Sequence, residues 1–204
     1  MNKKFITPVA VVAVFIAIFV LIATNAFSDP KKNEVKKVSD NPKYEITCTQ
    51  SGKELGKIQI ELFPDVAPKH VANFDSLVAI KFYDGTAFHR VIPNFMIQGG
   101  DPNSKSEPKE KWGMGRPDQK RVPAEFSKLE HKRGIISAAR SQDPNSASSQ
   151  FFICVADAKW LDGQYSIFGQ VNSGMEVVDK IVNAPRDARD NPLEKIEMQI
   201  VKLK

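Results

Sequence analysis

The sequence predicts a mainly β domain: a closed antiparallel barrel of about eight strands with two capping helices. Three observations lead there. Two runs that alternate apolar and polar residues, Tyr44–Thr49 and Lys57–Phe63, flank the turn residues Ser51-Gly52-Lys53. Six further short apolar runs follow, broken by Gly, Pro and Asn. Two other stretches repeat their apolar residues at helical spacing. Many short strands separated by turn signals suit a barrel, because closure leaves no edge to protect.

Taken in order, the first two runs form a hairpin, since alternation at a period of two places one face on a core. Pro68 then stands where a helix can begin without wasting an amide, and Val71, Phe74 and Leu77-Val78 share one helical face, so a helix is expected over 68–80. Strands follow at His89–Ile92, Met96–Gly99, Ile135–Ala138, Phe151–Val155, Ile167–Val171 and Ile196–Leu203. A second helix is expected from Gly174 to about Asn183, with Met175, Val178 and Ile181-Val182 facing inward. Residues 103–122 are polar, punctuated by Pro and Gly and without a period, and read as a long surface loop that either shapes the entrance to a groove or is simply solvated.

At 204 residues, with 42% apolar and 26% charged residues, the chain suits one domain with a proper core and an extension. Met1 to Lys4 is positive, and Val9 to Ala23 is uninterruptedly apolar. This segment, 1–26, reads as either a cleaved export signal or a retained membrane anchor through residues 5–23. Its apolar run spans only about 22 Å as helix against a hydrocarbon core of about 30 Å, and Thr24-Asn25-Ala26 is a poor cleavage site, so length leaves both open. Lys3 and Lys4 stay inside, and everything after residue 26 is delivered outside. Residues 27–43, with Pro30, Pro42 and many lysines, are too polar to offset their ordering entropy and read as a flexible linker to a domain at 44–204.

The net charge of +5 falls to +3 without residues 1–26, which carry Lys3 and Lys4 and no acid. Runs such as Lys120-Arg121 are short and lack interleaved aromatics, so they read as solvated surface and no nucleic-acid partner is expected. Cys48 and Cys154 have no paired spacing and sit in strand-like runs, where a buried thiol behaves as a small hydrophobe. No His, Cys or carboxylate set has ligand spacing, so neither a metal nor a cofactor is expected. His70 and His131 read as surface residues.

The stretch FHRVIPNFMIQGGD (Phe88–Asp101) brings Arg90, Phe95, Met96 and Gln98 within nine positions across a strand, a turn and a strand. Phe95 and Met96 alone would pass for core residues. As a whole the stretch resembles the central signature of the cyclophilins, and SQFFIC (Ser149–Cys154), WLDG (Trp160–Gly163), PKHVANF (Pro68–Phe74) and GQVNSGMEVVDKI (Gly169–Ile181) extend the resemblance from Tyr44 to Lys204. It implies a peptidyl-prolyl cis/trans isomerase. Amide resonance sets a barrier of about 18–20 kcal/mol to rotation of an X-Pro bond, and neither proton transfer nor a nucleophile is needed to cross it. Such a catalyst needs an apolar slot for the ring, a donor at the imide nitrogen, and groups that hold the flanking peptide.

By that resemblance Arg90 is the catalytic guanidinium, and Gln98 holds Arg90 and the substrate backbone. Phe95 and Met96 line the slot, Phe152 is its floor, Leu161 touches the ring and Trp160 walls the groove. Gln150 faces the groove, Ala139 and Arg140 lie where the peptide backbone is held, and Tyr165 stands at the rim. Phe151 should point the other way by strand alternation. His89, next to Arg90, is expected to be scaffold. The implied partners are Pro-containing unfolded or extended polypeptides among exported proteins, and the chain is expected to act as a monomer.

The chain departs from the family where Tyr165 replaces a frequent His, Ala138 a usual Met and Ser148 a frequent Gly, and where GMGRPDQ (Gly113–Gln119) replaces a Gly-rich run. Two rival readings remain at this level. One is a chaperone module that binds proline peptides without turnover. The other is a serine hydrolase, suggested by SQDPNSASSQ (Ser141–Gln150) and three histidines, though no GxSxG elbow is present.

Overall fold

The computed structural model describes residues 41–204. The expected signal or anchor over 1–26 and most of the linker over 27–43 lie outside them. Among the described residues no helix is long and apolar enough to cross a membrane.

Eight strands form the barrel: β1 (Lys43–Gln50), β2 (Lys53–Leu62), β3 (Thr86–Ile92), β4 (Met96–Gly99), β5 (Ile135–Ala138), β6 (Phe151–Cys154), β7 (Ile167–Ser173) and β8 (Ile196–Lys202). They close in the order β1-β2-β7-β5-β6-β4-β3-β8, every pair antiparallel. Alternation sets the first hairpin, since Tyr44, Ile46 and Cys48 on β1 face Ile58, Ile60 and Leu62 on β2 inside the core, all fully buried. Its turn needs two left-handed residues to match the twist of the strands, and Ser51 (φ 51°) and Gly52 (φ 75°) supply them.

Helix α1 (Pro68–Ala79) begins on Pro68 and buries His70, Val71, Asn73, Phe74 and Val78. Phe74 lies at the centre of an aromatic cluster, 5.0–5.8 Å from Tyr44, Tyr83, Phe151 and Phe168. Burying a ring of that size contributes about 2–3 kcal/mol. Helix α2 (Met175–Val182) follows Gly174 (φ 92°) and buries Val177 along with Val178, Ile181 and Val182. Val177 thus joins the expected inward face, while Met175 is only partly buried against the core. The cysteines are free thiols, Cys48 in the main core and Cys154 in a second cluster, and burial pushes both thiols up to about 12.

One expectation is corrected and one open choice is narrowed. His70 and His131 are buried, at 5% and 1% exposure. The Glu125 carboxylate accepts from the amides of Lys69 and His70 and bonds His70 Nδ1 at 2.7 Å, so it satisfies the open start of α1 and the imidazole together. The loop at 103–122 is not simply solvated. Pro102, Asn103 and Ser104 are buried in a short 3-10 turn, and Asp101 ties down both ends of the following excursion, accepting from Asn103 N at 3.2 Å and Gly113 N at 2.6 Å. Side-chain-to-backbone bonds of this kind order a segment without leaving a period in its sequence.

Candidate active site

The ladder register brings the site together. Arg90 on β3 stands opposite Gln98 on β4, Gln98 stands opposite Phe152 on β6, and Phe152 stands opposite Ser137 on β5. Four side chains from four strands therefore form one row on one face. Ile92 and Pro93-Asn94 end β3 in a turn in which Asn94 takes φ 62° and Phe95 N–H bonds Ile92 O at 3.1 Å. That turn sends Phe95 over the same face. The next turn is equally constrained: Gly100 has φ 84°, and a Cβ there would meet the Ser149 carbonyl oxygen at 2.6 Å. Only glycine lets β4 pass that close to the start of β6.

Above the row lies a hollow of about 390 Å³. Phe152 is its floor and Met96 and Leu161 its inner walls, all three nearly enclosed. Phe95 is half-buried and packs on Trp160, ring centres 5.6 Å apart, while Trp160 itself is 59% exposed at the rim. Tyr165 meets Phe152 edge-on at 5.8 Å, and the Arg140 guanidinium lies 4.4 Å from the centre of the Tyr165 ring. Gln98, Ala139 and Arg90 complete the lining. Cys154 and Ala158 pack behind it.

Gln150 lies one step away. It lines an adjoining hollow of about 150 Å³ that shares Gln98, Ala139 and Arg140 with the first. The Gln98 amide donates to Gln150 Oε1 at 2.9 Å, and Gln150 donates to the Gly113 carbonyl at 3.1 Å. This corrects the expected Gln98–Arg90 bond. The two side chains are neighbours across the ladder, but the Gln98 amide turns to Gln150, which the 103–122 loop holds in place. Among the described residues the Arg90 guanidinium is exposed and makes no hydrogen bond or ion pair. Phe151, as alternation requires, points into the main core.

His89 faces inward, 2% exposed, and neither ring nitrogen has a hydrogen-bond partner among the described residues. Burial pushes its pKa down to about 4 against the opposing charge of Asp101, so the ring is neutral at pH 7, buried under Gly113 and next to Gln150.

One arrangement was missed by reading the letters. His131 bonds Asp162 Oδ1 through Nδ1 at 2.9 Å and Ser137 Oγ through Nε2 at 3.2 Å, a Ser-His-Asp line. It does not form a hydrolase site. Ser137 is fully buried, its hydroxyl donates to the Ser166 carbonyl at 2.9 Å, and the His131 ring lies parallel to Phe152 at 6.2 Å. The line supports the floor of the slot. His131 is followed by Lys132-Arg133, which disguised it as surface. Of the serines in 141–149, Ser141 Oγ bonds Ser146 Oγ within a turn, and Ser149 Oγ donates to the distant Gly100 carbonyl.

A family model described as cyclophilin type peptidyl-prolyl cis-trans isomerase/CLD matches residues 45–203. The chain belongs to the cyclophilins. A probable peptidyl-prolyl cis-trans isomerase of Brucella suis is 41% identical over 183 residues, covering 87% of this chain and 86% of that one. A peptidyl-prolyl cis-trans isomerase of Acinetobacter baylyi is 46% identical over 145 residues, covering 68% and 73%. The crystal structure of a cyclophilin-type isomerase of Cryptosporidium parvum superposes with a TM-score of 0.70 at 31% identity, over 80% of this chain and 98% of that one. The same isomerase was solved in the presence of the dipeptide Ala-Pro, and that structure matches with a TM-score of 0.69 at 33% identity, over 79% and 99%. Like its relatives, this cyclophilin is a peptidyl-prolyl cis-trans isomerase.

Proposed function

We propose that this cyclophilin isomerises X-Pro bonds in exported polypeptides, with Arg90 as the group that lowers the barrier. The observation that carries the reading is the free Arg90 guanidinium at the lip of a slot whose floor and inner walls, Phe152, Met96 and Leu161, are apolar. The slot takes the pyrrolidine ring. As the C–N bond twists, resonance is lost and the imide nitrogen regains its lone pair. A guanidinium N–H donated to that lone pair is stronger in the twisted state than in the planar one, and so speeds rotation in both directions. The planar fork fixes the direction of donation, which an ammonium on a flexible stem does not.

The other side chains hold the peptide. Gln98 and Gln150, bonded to one another, present amide groups to the flanking backbone. The Ala139 N–H is already committed to the Gln150 carbonyl at 3.0 Å, so its carbonyl is the group it can offer, beside Arg140. Trp160 and Tyr165 close the rim. The Ala-Pro dipeptide present with the Cryptosporidium relative supports a short Ala-Pro peptide as the test substrate. Replacement Arg90→Ala should slow its isomerisation about 100-fold, the scale of losing one donor aimed at the transition state. Equal rates for variant and wild type would sink the assignment.

The clients are proposed to be unfolded or extended Pro-containing segments outside the cytoplasm, met by a monomer that residues 1–26 export. Lys3-Lys4 before the apolar run Val9–Ala23 supports export. Mass spectrometry of the protein isolated from its host distinguishes the two forms: a chain starting at Phe27 means release, an intact Met1 region means anchorage through residues 5–23. Recovery from the cytoplasmic fraction alone would contradict export.

A further inference from the structure

Some surface cations meet carboxylates, as Lys57 meets Glu45, Arg133 meets Asp179 and Lys202 meets Asp75. Others are unpaired, and five of these gather along one flank. Lys69, Arg116, Lys120, Arg121 and Arg140 form no ion pair among the described residues. Their guanidinium groups are nevertheless held. Arg140 donates to the carbonyls of Gln164, Ser141 and Gln142, Arg121 Nη1 to the Ser146 carbonyl at 3.0 Å, and Arg116 Nε to Asn103 Oδ1 at 3.1 Å. Neutral acceptors fix these side chains in place without cancelling their charge.

The five cations line connected hollows. Arg140 is shared by the proline slot and the adjoining 150 Å³ hollow, which Arg121 also lines. Arg121 is shared in turn with a cleft of about 320 Å³ between α1 and residues 120–123, which Lys69 and Lys120 also line. Lys120 continues into a hollow of about 240 Å³ with Arg116, floored by Leu77 and Phe82. Neither of the two hollows nearest the slot is lined by a carboxylate, and Asp118 is the sole acid lining the third. A positive track thus leaves the slot and runs across residues 116–121 to α1.

We propose that this track binds an acidic stretch of the client chain on one flank of its X-Pro bond, so that the enzyme favours prolines flanked by Asp or Glu. The proposal rests on the isomerase reading of the slot, from which the track starts. A polypeptide fits better than a nucleic acid, because the two nearer hollows carry no aromatic ring on which a base could stack. It fits better than a lipid surface, because the charges line side-chain-sized recesses continuous with the place where a peptide is held. Exposed ion pairs each contribute a factor of roughly 1.5 to 5, so the two carboxylates of a Glu-Glu extension should give up to about tenfold.

The test compares kcat/KM for an Ala-Pro peptide unextended and extended on either side by Glu-Glu, Gln-Gln or Lys-Lys. Extension by Glu on one side should raise kcat/KM up to about tenfold over Gln, Lys should lower it, and 1 M NaCl should abolish the difference. In the combined variant Lys69→Gln, Lys120→Gln, Arg121→Gln the Glu advantage should vanish while the unextended peptide turns over at the wild-type rate. Equal rates for Glu and Gln peptides, or an advantage that survives in the variant, would overturn the proposal. So would peptide-independent binding to anionic phospholipid vesicles that the same variant loses, with no Glu preference. Failure to turn over even the unextended peptide would instead remove the isomerase reading beneath it.

Discussion

On β6, Phe151 and Phe152 are adjacent and almost equally enclosed, at 1% and 4% exposure, yet they belong to different parts of the molecule. Phe151 joins the barrel core, edge-on to Phe74, Tyr83 and Phe88. Phe152 faces the opposite way, with Met96 and Leu161 beneath an open hollow, and rests on the parallel His131 ring. The period of two in a strand is all that separates them. One surface of the barrel wall is filled by packing on every side. The other is packed from behind and left open in front, where a substrate ring can complete it.

Replacing each ring by Ala should therefore separate stability from activity. Phe151→Ala should cost about 3–5 kcal/mol in urea unfolding, the usual range for a filled aromatic site, while the folded fraction keeps near-normal kcat/KM. Phe152→Ala should cost about 1–3 kcal/mol, since the hollow in front already admits water, but lower kcat/KM about 10- to 100-fold. If the two variants lost stability and activity in the same proportion, the division would fail.

A pH profile tests a third enclosed ring, that of His89, which is buried beside Gly113 and Gln150. Its folded pKa, pushed by burial to about 4, lies below the unfolded value of about 6.5. Between those values the unfolded chain binds the proton and the folded one does not, so stability is complete above pH 6.5 and is lost as pH falls toward 4, by about 3 kcal/mol from this group. His70, lowered chiefly by burial, acts in the same direction. Unfolding measured from pH 7 to 4 should show a shallower decline in His89→Gln than in wild type. An unchanged slope would contradict a buried neutral ring.

The smallest effect is expected at the rim. Tyr165 serves the slot through its ring, which meets Phe152 and lies under Arg140. Tyr165→Phe should change kcat/KM less than about twofold, the scale of an exposed hydroxyl with no buried partner to strand. A tenfold loss on the same peptide would make the hydroxyl part of the binding machinery.

Much of this was readable in the letters, and the physical reason is periodicity. Alternation located β1 and β2, short apolar runs between turn residues located the other six strands, and helical spacing found α1 and α2 within a residue or two at their ends. The eleven expected site residues came from the resemblance to the cyclophilins, and ten of them line one hollow, with Gln150 bonded to it from the next; strand register gathers Arg90, Gln98 and Phe152, and turns bring the others over them. Contacts that depend on a single side chain reaching a distant backbone were not readable. Glu125 seating His70, Asp162 seating His131, and Asp101 holding Gly113 join residues 55, 31 and 12 positions apart and leave no pattern. The partner of Gln98 was misjudged for the same reason. Register makes Arg90 its neighbour, but the ordered loop at Gly113 aligns Gln150 to receive its amide.

The central claim is that Arg90 acts on the twisted imide and not on ground-state binding. Its most direct test measures, on one Ala-Pro peptide, both the isomerisation rate by NMR exchange and the dissociation constant by calorimetry for wild type, Arg90→Ala and Arg90→Lys. The account predicts a rate about 100-fold lower in the Ala variant, little recovery in the Lys variant, and dissociation constants within a few-fold of wild type throughout. A dissociation constant that weakens in step with the rate would place Arg90 in binding alone, and would contradict it.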